Sequence, residues 1–222
     1  MKRIFAAAAL LSFFLLSCAA KCPVVKPGIE VLRDGGFAQL RGKKVGLVTN
    51  PSGVDRHLKS TVDILFEAPE VNLVALFGPE HGVRGDAYAG ASVSDDKDPA
   101  TGLPVYSLYG KTREPSDEML RGLDAVVYDI QDIGVRSYTF ISTLGLVMRA
   151  CARLGIEVVV LDRPNPLGGL KVEGPLVSDD WHSFVSYYSI PYIYGPNAPA
   201  LLHAMALPST SVMVIMVLLN VE

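Results

Sequence analysis

Ala125-Val126-Val127-Tyr128-Asp129-Ile130-Gln131-Asp132 decides the fold. Four apolar residues follow one another without alternation, and then the chain turns polar. Such a short, non-alternating run suits a strand covered on both faces, as in a parallel sheet. Three other stretches have the same form: Val45-Gly46-Leu47-Val48-Thr49-Asn50, Leu73-Val74-Ala75-Leu76-Phe77 and Val158-Val159-Val160-Leu161. Helical spacing separates them. Val54 to Phe66 carries Leu58, Val62, Leu65 and Phe66, and Tyr138 to Leu154 carries Ile141, Leu144, Val147, Met148 and Cys151. Strands alternating with helices predict an α/β fold on a parallel sheet. Cys151, on an apolar helical face, reads as a buried small hydrophobe.

In open parallel sheets ligands bind outside the carboxyl ends of the strands. Here those ends carry Asn50, then Glu80 and His81, then Asp129 and Asp132, then Asp162, Arg163 and Asn165. A single Asp or Asn at such a place is explained by loop capping. Four strand ends bringing ionisable or amide groups to one rim point to a polar cleft.

Composition and motifs exclude several functions. The 222 residues hold 20 Lys plus Arg against 23 Asp plus Glu, so the chain lacks the basic excess of a nucleic-acid binder. No GxGxxG follows the first strand, and no Walker lysine, HExxH, CxxC or GxSxG motif occurs. Asp95-Asp96-Lys97-Asp98 lacks calcium-loop spacing and reads as a solvated loop. Carboxylate chemistry is left. Glycoside hydrolysis needs a proton donor at the leaving oxygen and, usually, a second carboxylate or an activated water. Glu80 follows an apolar strand and Pro79, so partial burial would favour the protonated form that a donor needs. The alternative for Glu80 is a structural pair with Arg84. Asp129 and Asp132 are candidates to orient water or to stabilise positive charge at the sugar ring.

Five stretches then carry a resemblance. They are Gly46 to Gly53 (GLVTNPSG), Leu76 to Gly85 (LFGPEHGVRG), Thr101 to Gly110 (TGLPVYSLYG), Asp129 to Thr139 (DIQDIGVRSYT) and Leu161 to Gly169 (LDRPNPLGG). In this order they resemble the exo-β-N-acetylmuramidase NamZ family, from about Lys43 to Gly195. The resemblance implies a Rossmann-like parallel sheet with flanking helices, followed in the family by a smaller second domain, with the cleft between them. It implies release of N-acetylmuramic acid from the non-reducing end of peptidoglycan fragments, with no cofactor and no metal. Glu80 matches the family's proposed acid/base glutamate. Asn50, His81, Arg84, Asp129, Gln131, Asp132, Arg136, Tyr138, Asp162, Arg163 and Asn165 match polar positions expected to line the cleft. The lactyl carboxylate of N-acetylmuramic acid calls for an arginine, with Arg84, Arg136 and Arg163 as candidates.

The two ends of the chain read differently. Met1-Lys2-Arg3, the apolar run from Ile4 to Leu16 and then Ser17-Cys18 resemble a bacterial lipoprotein signal. Cys18 is then the lipidated N-terminus of an exported, envelope-facing protein; ordinary cleavage near Ala19-Ala20 is the alternative. Residues 19–42 read as a tether with a short lead-in helix, and 43–195 as the catalytic domain. Residues 196–222 hold one charged residue, Glu222, in 27 positions, and no Gly. The family pattern stops there, so the tail reads as a frameshift or truncation with no evident partner for its apolar residues. A non-catalytic cell-wall-sugar-binding lipoprotein is the second functional reading. An ester-cleaving α/β hydrolase lacks its nucleophile motif.

Overall fold

The computed structural model describes residues 24–85, 96–195, 212–215 and 218–220. In chain order these form β1 (Val24–Lys26), α1 (Gly28–Asp34), β2 (Lys44–Thr49), α2 (Thr61–Glu67), β3 (Asn72–Gly78), β4 (Asp96–Lys97), β5 (Pro104–Ser107), β6 (Ala125–Asp129), α3 (Phe140–Leu154), β7 (Glu157–Leu161), β8 (Val212–Ile215) and β9 (Leu218–Asn220). The main sheet runs β4-β5-β3-β2-β6-β7-β8. Every neighbouring pair from β5 to β8 is parallel, and β4 is an antiparallel edge. The six parallel strands thus follow the doubly wound order, which reverses between β2 and β6. At that reversal Thr49 is paired with Asp129.

Both faces of the sheet are covered, which is why the central strands are apolar without alternation. Val126, Tyr128, Val158 and Val160 pack under Ile141, Leu144, Val147 and Cys151 of α3. Val45, Leu47, Val127, Val159 and Leu161 pack under Ile29 and Leu32 of α1 and Val62 and Leu65 of α2. Each such side chain fully buried contributes about 1.5–3 kcal/mol. Cys151 is fully buried, and desolvation pushes its thiol pKa up to about 12.

Four readings of the sequence change. The helix expected from Val54 begins only at Ser60, whose hydroxyl caps Val62 N–H at 3.2 Å. Before it, the Asp55 carboxylate accepts from the N–H groups of His57 and Lys59 and closes a turn with Leu58 at φ 64°. Leu58, in that turn, therefore faces solvent, and Phe66, within α2, lies on the outer side of the helix. The lead-in is part of the domain: Ile29, Leu32, Phe37 and Leu40 are buried. Gly28 N–H donates to Asp162 O at 3.0 Å, and a Cβ on Gly28 would lie 2.7 Å from the backbone there. Residues 104–107 form β5, too short and Pro-flanked to read as a strand until β3 is beside it. Finally, two segments of the apolar tail do have partners. β8 pairs in parallel with β7, and β9 pairs antiparallel with β1.

Candidate active site

The rim at the carboxyl ends of β2, β6 and β7 is a polar network whose members bind one another, with one buried carboxylate oxygen, Asp132 Oδ2, left over. Asp129 is fully buried, and Arg163 grips it with Nε–Oδ1 at 2.6 Å and Nη2–Oδ2 at 3.0 Å. Thr61 Oγ1 donates to the same carboxylate at 2.5 Å, and Arg163 Nη2 also donates to Val54 O. Asn50 Oδ1 accepts from Ser52 N–H and Ser52 Oγ; Ser52 Oγ in turn accepts from Gln131 N–H at 2.9 Å. Gln131 Nε2 reaches Pro164 O at 2.9 Å, so three strand ends are tied in sequence. Asn165 Nδ2 donates to Tyr194 O and Gly195 O, folding the 165–195 segment back onto the rim.

Asp132 belongs to this network. Its Oδ1 accepts from Tyr194 Oη at 2.5 Å and from Gly134 N–H at 2.8 Å. Its Oδ2 is buried without a hydrogen-bond partner among the described residues, beside a cavity of about 20 Å³ lined also by Tyr128, Asp162 and Arg163. Desolvation raises the Asp132 pKa, outweighing the bonds that favour the carboxylate, and burial likewise raises Tyr194. Asp162 is buried too, with Oδ1 accepting from Arg163 N–H.

The rim at β3 and β5 is built otherwise. Gly78 pairs with Ser107, and Glu80 and Tyr109 each lie two residues further on. The register thus places them side by side, and the nearby Glu80 carboxylate raises the Tyr109 pKa, while the charge of Arg113 acts the other way. Glu80 is half-buried and makes no ion pair among the described residues. The next residue, His81, has φ 73°, a left-handed conformation that costs a non-glycine residue about 1 kcal/mol and is concentrated at functional turns. Arg84 does not pair with Glu80. It binds Asp98 through Nε at 2.8 Å and Nη2 at 3.0 Å, and Asp63 at 2.9 Å. Asp98 is accordingly buried, with its pKa lowered first by the Arg84 hydrogen bonds, where the sequence predicted a solvated loop.

Residues 45–206 match the family model described as the N-terminal part of the exo-β-N-acetylmuramidase NamZ. The chain belongs to the NamZ family. It is 53% identical over 176 residues to the peptidoglycan β-N-acetylmuramidase NamZ of Bacillus subtilis strain 168, a match covering 79% of this chain and 42% of that protein. Two crystal structures of DUF1343 family proteins from Bacteroides fragilis NCTC 9343 are also similar. One has TM-score 0.80 and 56% identity, covering 87% of this chain and 50% of the other; the second has 0.73 and 33%, covering 87% and 52%. The chain spans about half the length of these relatives.

The family motifs divide over the two rims. Two of the residues nominated for catalysis, Asp129 and Asp132, are turned inward and engaged, because Arg163 and Tyr194 reach them first. Arg163 and Arg84 are spent on carboxylates. Arg136 is held on backbone through Nη1, which donates to Pro175 O and Ile190 O, with the guanidinium 5.8 Å from the Tyr192 ring and Nε buried without a hydrogen-bond partner among the described residues. Tyr138 is exposed at the end of the β6 loop. Tyr109 and Arg113 were not singled out from the sequence, since only the β3–β5 register brings them to Glu80. Among the described residues no cluster of three or more His, Cys, Asp or Glu can hold a metal, and no helix is long and apolar enough to cross a membrane. Cys18 and the leader lie outside the described residues.

Proposed function

We propose that this chain carries the proton-donating side of an exo-acting β-N-acetylmuramidase site, releasing N-acetylmuramic acid from the non-reducing end of peptidoglycan fragments. The observation that carries this reading is the state of Glu80. It is half-buried at the end of β3, next to Tyr109 and without an ion pair among the described residues, whereas Asp129 is fully buried against Arg163, and Asp132, itself partly buried, is held by Tyr194 Oη and Gly134 N–H. Its role is to donate a proton to the glycosidic oxygen as the bond to the anomeric carbon breaks. With Asp129 and Asp132 engaged elsewhere, the anomeric carbon is attacked by water or assisted by the sugar's own acetamido oxygen.

The test is Glu80→Gln, in this chain and in a hybrid joined to the remaining length of the B. subtilis relative. Release of N-acetylmuramic acid from a muramyl disaccharide is expected to fall at least about 10²-fold with folding intact. An activated aryl leaving group needs less protonation, so its cleavage suffers less. Equal, small losses on both substrates would remove Glu80 from the acid role.

The engagement of Asp129 and Asp132 also supports a second reading, a cell-wall-sugar-binding protein without catalysis. Sugar binding with no release by either chain or hybrid would select it. The leader sequence supports an address in the cell envelope, with Cys18 lipidated. Mass spectrometry of the mature N-terminus decides that point, and an unmodified chain starting at Ala19 or later would reject it.

A further inference from the structure

The arginines that sequence reading nominated for a substrate carboxylate are all engaged within the fold: Arg84 by Asp98 and Asp63, Arg163 by Asp129, Arg136 by backbone carbonyls. Arg113 is different. It is exposed, makes no ion pair among the described residues, and rests with its Cζ 4.4 Å from the centre of the Phe184 ring. Contact with a ring uses the face of a guanidinium, so the N–H edge stays available for a carboxylate.

Arg113 and Phe184 are two walls of an open-sided cavity of about 320 Å³, completed by Leu146, His182, Ser183 and Tyr187. That volume is within the range of small-ligand sites. The lining is mainly apolar and aromatic, which suits the C–H face of a pyranose, with a few polar groups at the edge. Several of those walls are held from behind. Tyr187 Oη accepts from Arg149, and His182 Nε2 lies 3.2 Å from Ser189 Oγ. Arg113 links the cavity to the candidate acid, since its charge acts on Tyr109, the residue that the β3–β5 register sets beside Glu80.

We infer that this cavity is the subsite for the carboxylate-bearing sugar unit, with Arg113 as the residue that recognises the carboxylate. The inference rests on the muramidase reading for the sugar's identity, and it names a residue outside the polar motif positions first considered. A preformed cation on an aromatic support, with no carboxylate to displace among the described residues, loses little on binding an anion.

The experiment compares N-acetylmuramic acid with N-acetylglucosamine, which has the same ring and acetamido group but no lactyl carboxylate. Both are titrated into the wild-type chain, Arg113→Gln and Arg113→Lys, by calorimetry and by the fluorescence of Trp181, the single tryptophan, next to His182. The wild type is expected to prefer the acidic sugar at least about ten-fold. Arg113→Gln should bind both sugars alike, Arg113→Lys should keep part of the preference, and the loss in each variant should fall on the acidic sugar more than on the neutral one. Undiminished preference in Arg113→Gln, or no preference or no binding in the wild type, overturns the inference. If Glu80→Gln abolishes release while Arg113→Gln keeps the preference, the inference fails and the hydrolase reading stands. If Arg113 carries the preference but neither chain nor hybrid releases sugar, the hydrolase reading fails and the acidic-sugar site stands.

Discussion

The two halves of the rim use the same kinds of residue to opposite ends. At β6 and β7 the strand-end acids meet partners supplied by the fold: Arg163 and Thr61 for Asp129, Tyr194 and Gly134 N–H for Asp132. At β3 and β5 the strand-end acid lies beside Tyr109 and makes no ion pair among the described residues, and Arg113 lies on an aromatic ring. The first half holds three loops together. The second leaves an acid and a cation that make no ion pair among the described residues, which is the condition for meeting a ligand. A charged residue at the carboxyl end of a parallel strand is therefore not a site in itself; its internal partners decide.

The largest expected effect that would break this comparison is on stability. Asp129→Ala leaves Arg163, 8% exposed at its side chain, without its carboxylate, and is expected to cost about 3–5 kcal/mol in chemical unfolding. Replacing both, Asp129→Leu with Arg163→Met, should recover much of that loss, because the pair's own desolvation cost is also removed. Glu80→Gln on the other half should change stability by less than about 0.5 kcal/mol. A comparable loss at both sites would erase the distinction.

Next comes Gly134, at φ 74°, where an added Cβ would lie 2.5 Å from the Asn165 side chain. Gly134→Ala is expected to cost about 1–3 kcal/mol by pushing apart the loops after β6 and β7. An unchanged melting temperature would show that these loops are not clamped.

Two smaller effects have opposite pH dependence. Arg84 holds the Asp98 pKa below its ordinary value, so this pair's stabilisation is complete above about pH 3.9 and is lost as pH falls through the lower folded-state value. Arg84→Met should cost about 1–2 kcal/mol at neutral pH and flatten the acid limb. Burial raises the Asp132 pKa, so the folded state keeps a proton that the unfolded chain has released. Its contribution is full below about pH 3.9 and declines as pH rises through the higher folded-state value. Asp132→Asn should remove that decline, the smallest change of the set. A steeper decline in the variant would mean that the Asp132 carboxyl is ionised in the fold.

Much of the fold was legible because burial on both faces leaves a compositional trace. β2, β3, β6 and β7 were read within a residue or two, and so was α3, whose apolar stripe faces the sheet. Leu58 misled because apolar spacing does not distinguish a helix from an Asp-closed turn that leads into one. β5 was hidden because four residues after a proline acquire strand character only from a neighbour. β8 and β9 were hidden because apolar sequence does not say which edge it will join.

By itself the sequence determined the α/β class, the rim on which polar groups gather, the family, and Glu80 as the acid to examine. These follow from local periodicity and from motifs that are contiguous in the chain. Only the tertiary structure decided which of those polar groups are spent. Asp129 finds Arg163 34 residues away, Asp132 finds Tyr194 62 residues away, and Arg84 finds Asp98 14 residues away. Tyr109 and Arg113 come to Glu80 through the pairing of Gly78 with Ser107. Charge compensation acts through space over a few ångströms, and sequence separation carries no information about that distance until the sheet has been assembled.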